Sequence, residues 1–455
     1  MSNENIKLLR DNPENTILRL AIPIMITMIS TSIYNIVDGM WISGLGTYAI
    51  SSVGLFTPLW MIINGLSSGL ANGVSSSVAR MREESDQKAN IAGEQSVIIL
   101  ILASITLSII LGIILIPFLN FFNVDSLVYQ GTIDYAWPLI AGLITFVTSM
   151  GLAGILRAEG DNKRSMYAIT LGVILNAVLD PVFIYILNMG IVGASVSTIF
   201  TSFISSVIIV YWMFIKKDTY IKLNFRNILK LKINWEISKD ILKTGIPTSI
   251  GLFMLSFASF ILYYLLNILS GHLGVGILSS GNRVYILGLM PINAVSSAIV
   301  TIVGTHYGAK NIEYIKKAHS YASLCGFLFG CIVAAIFIIF SDQLAYMVLM
   351  LSNNNDLHQG VSIFINCVAL GIPLLGICFP STYLYQGLGK GLHSFCLITF
   401  CELICGISTA YLFGFTLGYG IIGIWLGLAV GRSFSSIIIF IITRITIRNL
   451  KKTLN

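Results

Sequence analysis

The chain has 455 residues, of which 56% are hydrophobic and only 10% are charged. Soluble domains carry about 25% charged residues. A protein with so few charged residues cannot expose its whole surface to water, so much of that surface must face lipid. The composition therefore excludes an ordinary soluble domain, and the net charge of +7 has to be explained by where the basic residues lie.

Twelve apolar segments follow one another along the chain, and each is long enough to be a membrane-spanning helix. A helix needs roughly 20 apolar residues to cross about 30 Å of hydrocarbon. We therefore predict an all-α membrane protein with twelve transmembrane helices. The predicted spans are 18–43, 50–79, 91–117, 131–156, 165–187, 191–215, 241–269, 275–305, 317–340, 360–387, 393–413 and 420–443.

Lysine and arginine are confined to one side of this topology. The chain ends and the loops on that side hold all the basic residues except Arg283 and Arg432, which lie inside spans. The largest group is in the central linker, from Lys216 to Lys243. This positive-inside pattern predicts a multi-pass protein of the cell membrane with both termini in the cytoplasm. It also explains the basic charge without nucleic acid as a partner.

The two halves of the chain contain similar segments in the same order. Residues 154–165 (GILRAEGDNKRS) align with 383–394 (YLYQGLGKGLHS), 229 positions later, and three further short matches have nearly the same offset. We predict a duplicated six-helix unit, in which the two lobes are parallel repeats related by a pseudo-two-fold axis along the membrane normal. The lobes are residues 1–215 and 241–455, joined by a basic cytoplasmic linker at 216–240.

Two acidic residues, Asp38 and Asp180, lie inside predicted spans of the first half. Counting about 1.5 Å per residue from the outer loops places them about 9 and 12 Å deep, and Thr198 also lies about 12 Å deep. Tyr34 and Asn176 each precede an acid by four residues, so each shares a helix face with it. Carboxylate, amide and hydroxyl oxygens suit a small cation or a proton. The alternative is that both acids only lock helices together, which is disfavoured because two such acids without a basic neighbour are costly.

Three charged residues lie inside spans of the second half: Arg283, Glu402 and Arg432. A charge in hydrocarbon is expensive, so we expect an arginine to form an ion pair with Glu402. If Arg283 is that partner, replacing Glu402 alone should lower stability more than replacing Glu402 and Arg283 together. Whether the arginines face a cavity stays open.

Several other residues have two interpretations at this stage. Pro23, in the first turns of span 1, is either a hinge or a proline tolerated near a helix start. Trp60, Tyr135 and Trp137 either line a cavity for flat cations by cation–π contact or anchor and pack the helices. Glu159, among charged neighbours in a loop, is interpreted as a solvated residue rather than part of a gate.

Three motifs resemble those of multidrug and toxic compound extrusion (MATE) transporters. Acids in helices 1 and 5, with a neutral matching position in the second lobe, look most like the prokaryotic DinF-type branch of that family. Residues 34–46 (YNIVDGMWISGLG) resemble the first-helix motif of that family, and residues 156–161 (LRAEGD) resemble the loop motif after its fourth helix. Residues 176–181 (NAVLDP), followed by 190–195 (GIVGAS), resemble its helix 5 to helix 6 signature. The resemblance extends over the whole chain.

This resemblance implies an antiporter that exports organic cations or other drugs while Na⁺ or H⁺ enters through the N-lobe. It implies alternating access, small-molecule substrates, a monomer in the bilayer, and no cofactor besides the coupling ion. Tyr34 and Tyr135 would border the substrate cavity. The ligands of the proton, or of a Na⁺ ion if the coupling uses Na⁺, would be Asp38, Asn176, Asp180, Thr198 and the Ala194 carbonyl.

Three other functions have sequence requirements that can be compared with this chain. A lipid-linked oligosaccharide flippase of the same superfamily would need several arginines around a pyrophosphate, but only Arg283 and Arg432 lie in spans and the first lobe is acidic. An intramembrane enzyme is disfavoured, because no histidine precedes residue 272 and HExxH does not occur. A channel stays open, and saturable, exchange-coupled flux would distinguish a carrier from it.

Overall fold

Helices form nearly all of the chain in a computed structural model, which describes Leu9 and residues 12–122, 125–230, 232–349 and 355–454. Within these ranges there is no β-strand. Two π-helical segments, Val182–Ile186 and Tyr211–Ile215, extend the sixth and seventh helices. The helices of the first half are α1 (Pro13–Ser43), α2 (Thr47–Glu84), α3 (Asp86–Phe122), α4 (Ser126–Ala141), α5 (Leu143–Ala158), α6 (Asn162–Pro181), α7 (Gly190–Val210) and α8 (Phe225–Leu229).

The second half begins within one very long helix and ends in another. Two further π-helical segments, Phe400–Ile407 and Leu412–Thr416, belong to a single span that starts at Gly391. The helices are α9 (Trp235–Gly308), α10 (Ile312–Ile339), α11 (Ser341–Val348), α12 (Asn355–Ala369), α13 (Ile372–Gly387), α14 (Gly391–Thr399), α15 (Ser408–Tyr411) and α16 (Gly420–Leu454).

Ten uninterrupted segments of the described residues are long and apolar enough to cross a membrane, and two bent pairs of helices bring the number to twelve. The bent pairs are α4 with α5, at 50°, and α12 with α13, at 56°. Their breaks include Gly142 and Gly371, which are separated by the same 229 residues as the repeated sequence motifs. Each pair corresponds to one predicted span, so the sequence located these spans but missed their bends.

The predicted spans 241–269 and 275–305 are joined by a sharp turn at Gly271 rather than by a separate loop. Its backbone is not helical, with φ of 57° and ψ of −139°, although it lies within α9. A positive φ is the region that glycine adopts without steric cost, so the chain can turn here within a single residue. The spans Trp235–Gly271 and Leu273–Gly308 on its two sides match the two predicted ones.

The chain divides into two compact units. Among the described residues, one unit contains Leu9 and 26–249, and the other contains 12–25 and 250–454. The boundaries after residues 25 and 249 therefore fall inside helices, α1 and α9, rather than inside the linker. The predicted lobes at 1–215 and 241–455, with their linker, stay a prediction.

Large apolar side chains cover much of the outer surface of the first unit. On α3, Ile105, Ile109 and Ile113 are 46%, 58% and 69% exposed, and their four-residue spacing places them on one helix face. Helix faces of this kind are costly in water but suited to lipid. The opposite side of α3 is buried, with Leu100 and Leu107 in the core of the same unit.

The start of α7 packs closely on the chain that follows α6. A Cβ atom at Gly193 would lie 2.7 Å from the carbonyl of Phe183, so only glycine allows this approach. The close contact brings the end of α6, which carries Asp180, against the first turns of α7.

Candidate functional site

Asp180 is the centre of a polar cluster between α6 and α7, and its side chain is fully buried. Its Oδ1 accepts hydrogen bonds from Ser197 Oγ and from Asn176 Nδ2, the second at 3.2 Å. Asn176 Nδ2 also donates to Ser197 Oγ at 2.7 Å. Asn176 and Asp180 thus point from one face of α6, one helical turn apart, as their spacing predicts.

Two buried oxygens of this cluster, Asp180 Oδ2 and Asn176 Oδ1, accept no hydrogen bond from any described residue. A buried oxygen without a donor costs roughly 1–3 kcal/mol, and a charged one costs more. A proton on the carboxyl, or a small cation between the two oxygens, would remove that cost.

Helix α1 adds a second carboxylate and a phenol. The Asp38 carboxyl faces that of Asp180, close enough for the two to share a hydrogen bond when one of them carries a proton. Tyr34 Oη lies 3.4 Å from Thr198 Oγ1, which donates to the Ala194 carbonyl at 3.0 Å. The structure therefore brings together the acids, amide, hydroxyl and carbonyl that the sequence had proposed.

Ser197 is the member of the cluster that the sequence analysis did not name. It lies between Asp180 and Asn176, and it also reaches the Ala194 carbonyl at 3.3 Å. A helical-face analysis could have found it, because Gly193, Ser197 and Thr201 recur every four residues. That face is the one α7 turns toward α6.

The predicted cavity aromatics do not all lie near the acids. Tyr135 is buried, lies within electrostatic range of both Asp38 and Asp180, and contacts the ring of Phe56 with centroids 5.8 Å apart. Trp60 packs against Phe146, with centroids 4.9 Å apart. Trp137 is 45% exposed on the surface of its unit. Tyr34 and Tyr135 are therefore the two predicted aromatics placed beside the cluster.

In the second unit, Glu402 forms an ion pair with Arg432 rather than with Arg283. Arg432 Nε and Nη2 donate to Glu402 Oε2 at 3.0 and 2.6 Å, and Nη1 donates to Tyr285 Oη at 2.9 Å. The guanidinium also lies over the Tyr285 ring, 5.7 Å from its centroid. Arg283 is exposed on the same helix as Tyr285, two residues earlier.

Pro23 is buried within α1, which continues as a helix to Ser43. It lies three residues before Ile26, the residue of α1 at which the first compact unit begins. Its role as a hinge stays a prediction.

Glu159 is buried, not solvated, so the interpretation of its loop from the sequence was wrong. It is 2% exposed, and its carboxylate accepts hydrogen bonds from the backbone N–H groups of Tyr220 (3.0 Å) and Ile221 (2.8 Å). Burial raises the pKa of Glu159 to about 7, against the opposing effect of these two donors. Glu159 thereby fastens the loop after α5 to the central linker.

The same attachment continues at the start of α6. Asp161 caps this helix by accepting a hydrogen bond from the Arg164 backbone N–H at 3.1 Å. The Arg164 guanidinium binds both carboxylate oxygens of Asp218 in the linker, at 2.8 and 2.9 Å. Such a two-point bond fixes direction as well as distance.

Comparison with known proteins decides the family. A model of the MatE family matches the chain twice, over residues 23–182 and 247–412. The chain belongs to the MatE family. Members of this family are transporters, so this protein is a transporter and not an enzyme. The comparisons do not separate the DinF-type branch from the others, and that assignment stays a prediction.

Relatives and solved structures of the MatE family cover nearly the whole chain. The probable multidrug resistance protein NorM of Thermotoga maritima is 23% identical over 439 residues, covering 92% of this chain and 90% of that protein. A crystal structure of a MATE protein in a bent conformation is 33% identical, with a TM-score of 0.93 and 99% coverage of both chains. A MOP superfamily transporter from Pyrococcus furiosus, for which reverse polarity of the binding pocket suggests a different function, is 32% identical, with a TM-score of 0.93 and 98% coverage of both. The all-α fold with twelve spans is confirmed.

Proposed function

We propose that this MatE family transporter is an antiporter that exports organic cations or other drugs in exchange for Na⁺ or H⁺. The observation that carries the proposal is the pair of facing carboxylates, Asp38 and Asp180, beside two buried oxygens, Asp180 Oδ2 and Asn176 Oδ1, that lack donors among the described residues. The names of curated relatives as multidrug resistance proteins support the substrate class.

The coupling ion would bind among oxygens only. Asp180 Oδ2 and Asn176 Oδ1 are the atoms available to a cation, because Asp180 Oδ1 already accepts two hydrogen bonds. The Ala194 carbonyl and Thr198 would serve as further ligands, although the carbonyl already accepts a hydrogen bond from Thr198. Hard oxygen ligands suit Na⁺, and a protonated carboxyl donating to its neighbour would serve H⁺ equally well.

Exchange requires that binding of the ion and binding of the substrate depend on the same residues. Tyr34 and Tyr135 lie beside the acids, so an organic cation near them would be attracted by the same negative charge that binds the ion. In this proposal the ion neutralises Asp38 and Asp180 and thereby weakens the hold on the substrate, as linkage between two ligands requires. Pro23 would be the hinge that lets α1 respond within an alternating-access cycle.

A lipid-linked oligosaccharide flippase is not favoured. A pyrophosphate would need unpaired arginines, whereas Arg432 is already bound to Glu402 and Tyr285. The negative charge of Asp38 and Asp180 would repel such a substrate.

The test is dye efflux from proteoliposomes, with Na⁺ and pH gradients imposed separately. We expect one gradient to drive efflux in the wild type, and Asp180→Asn or Asp38→Asn to abolish gradient-driven efflux while the protein is still inserted. Asp125→Asn, which removes an exposed acid before α4, is the matched control and should transport like the wild type. Wild-type rates in Asp180→Asn would contradict the assignment.

A further inference from the structure

Two basic pockets occupy corresponding places in the two halves of the chain. The α3–α7 pocket, of about 1100 Å³, lies between the start of α3 and the end of the α7 span, and includes Lys217, Lys222 and Lys232. The α10–α16 pocket, of about 360 Å³, lies between the start of α10 and the end of α16. In the order of the twelve spans, these are the third and sixth helices of each half. A basic pocket thus occurs beside the same pair of spans in each half, with its basic side chains supplied by the linker in the first half and by α10 and α16 in the second.

The α10–α16 pocket is lined by four basic side chains and one acid: Lys316, Arg444, Arg448, Lys451 and Glu313. Glu313 pairs with Lys451. Lys316 and Arg448 are exposed, and neither forms an ion pair with any other described residue. An excess of positive charge therefore remains in the pocket after the internal pair is formed.

The α3–α7 pocket has a similar excess of positive charge. Its one acidic residue, Glu94, is buried and accepts hydrogen bonds from the Asn224 backbone N–H at 3.0 Å and from Asn227 Nδ2 at 3.1 and 3.2 Å. Lys222 and Lys232 are exposed at the same pocket. The carboxylate is thus engaged in holding the linker, and the exposed lysines give the pocket its excess of positive charge.

Exposed apolar side chains lie close in sequence to the lining residues of each pocket, on the same helical spans. Tyr211 and Ile215, at the end of the α7 span, are 48% and 71% exposed. Ile441 and Ile445 on α16 are 51% and 53% exposed, next to Arg444. A ligand that fits both surfaces needs an anionic head and a long apolar tail.

We propose that each pocket binds the phosphate headgroup of an anionic phospholipid from the leaflet on the basic side of the membrane. Clusters of lysine and arginine at helix ends recognise such headgroups, and the neighbouring isoleucines would contact the acyl chains. Topology alone explains basic loops, but it does not explain pockets that recur at the same helix ends with an apolar surface beside them. The proposal does not depend on what the protein transports.

The test is native mass spectrometry of the full-length protein, purified with phosphatidylglycerol or with phosphatidylcholine. We expect the wild type to retain two phosphatidylglycerol molecules and no phosphatidylcholine. Lys316→Gln with Arg448→Gln, and separately Lys222→Gln with Lys232→Gln, should each retain one. The control, Lys239→Gln with Lys243→Gln, removes two exposed lysines on the same side that line neither pocket, and should retain two.

Three results would overturn the proposal. One is equal retention by the pocket variants and the control, since attraction would then be general rather than local. Another is retention of phosphatidylcholine by the wild type as strongly as phosphatidylglycerol. The third is that inorganic phosphate alone stabilises the wild type against heat as much as phosphatidylglycerol does, but does not stabilise the pocket variants. The pockets would then be sites for soluble anions.

Discussion

At the residue scale, the hydrogen bonds around Asp180 are unequally shared between its two oxygens. Oδ1 accepts from Ser197 and Asn176, whereas Oδ2 has no donor among the described residues. Ser197 and Asn176 therefore hold the carboxyl in one orientation and leave the other oxygen available to a ligand. An ion site depends on such positioning groups as much as on its direct ligands.

Replacing Ser197 by alanine should disorder this arrangement. A hydrogen bond to a charged group contributes about 1.5–3 kcal/mol, and 1.4 kcal/mol corresponds to a factor of ten. We expect gradient-driven dye efflux by Ser197→Ala in proteoliposomes to fall by about tenfold or more. Ser195→Ala is the matched control, because Ser195 is also fully buried on α7 but donates to the Val192 carbonyl. Similar rates for the two variants would argue against a role for Ser197.

Glu402 and Arg432 should depend on each other for stability. Removing one partner of a buried ion pair costs about 3–5 kcal/mol, because the other charge is left without compensation. Glu402→Gln should therefore lower the melting temperature in detergent more than Glu402→Gln combined with Arg432→Met. The combination of Glu402→Gln with Arg283→Gln should be additive, because Arg283 is exposed and is not bonded to Glu402. If the losses of melting temperature caused by Glu402→Gln and Arg432→Met were additive in the double variant, the ion pair would not contribute to stability.

At the scale of helices and loops, apolar length predicted where the spans lie, but not their shape. The predicted spans 131–156 and 360–387 are each bent, at breaks that include Gly142 and Gly371. Hydropathy measures how apolar a segment is, which indicates whether it can span a membrane. A bend depends instead on glycine and proline residues within the segment and on the side chains packed against it.

The same limit applies to the site. Asn176 and Asp180 could be paired from their spacing, because i and i+4 positions share a helix face. Ser197 and the burial of Glu159 depend on contacts between segments far apart in sequence, α6 with α7 and a loop with the linker. Periodicity within one segment contains no information about such contacts.

The attachment of the linker to the loop after α5 should be sensitive to pH. Burial raises the pKa of Glu159 from an ordinary value of 4.5 to about 7, so the folded protein binds this proton more tightly than the unfolded chain does. Stability due to Glu159 is then fully present below about pH 4.5 and is lost as the pH rises to about 7. The loss amounts to at most about 3 kcal/mol.

The measurement is the melting temperature of the wild type minus that of Glu159→Gln, between pH 5 and pH 8. We expect this difference to fall with rising pH and to level off above about pH 7, since glutamine has no proton to lose. Glu236→Gln removes an exposed acid at the start of α9 and should show no such trend against the wild type. A difference that is flat or rises with pH would contradict the role of burial.

At the scale of the whole molecule, the sequence carries two independent signals of organisation. The family model matches once in each half, and the bends of the fourth and tenth spans recur at the offset of the repeated motifs. In the predicted topology, basic residues other than Arg283 and Arg432 fall on one side of the membrane along the full chain. Both signals are distributed over many residues, so an error in the predicted end of one helix changes neither of them. Their combination predicts that an even number of spans returns both termini to the basic side.

This orientation can be measured with single cysteines and a membrane-impermeant maleimide. Asp125, in the loop between α3 and α4, is on the predicted outer side, and Lys310, between α9 and α10, is on the basic side. We expect Asp125→Cys to be labelled in intact cells, and Lys310→Cys to be labelled after the membrane is opened but not before. The unchanged chain, whose seven cysteines are free, gives the background, and Cys396 is the one among them that is exposed. Because each lysine or arginine placed on the wrong side would oppose insertion, the opposite labelling pattern would mean that the positive-inside pattern does not determine the topology of this chain.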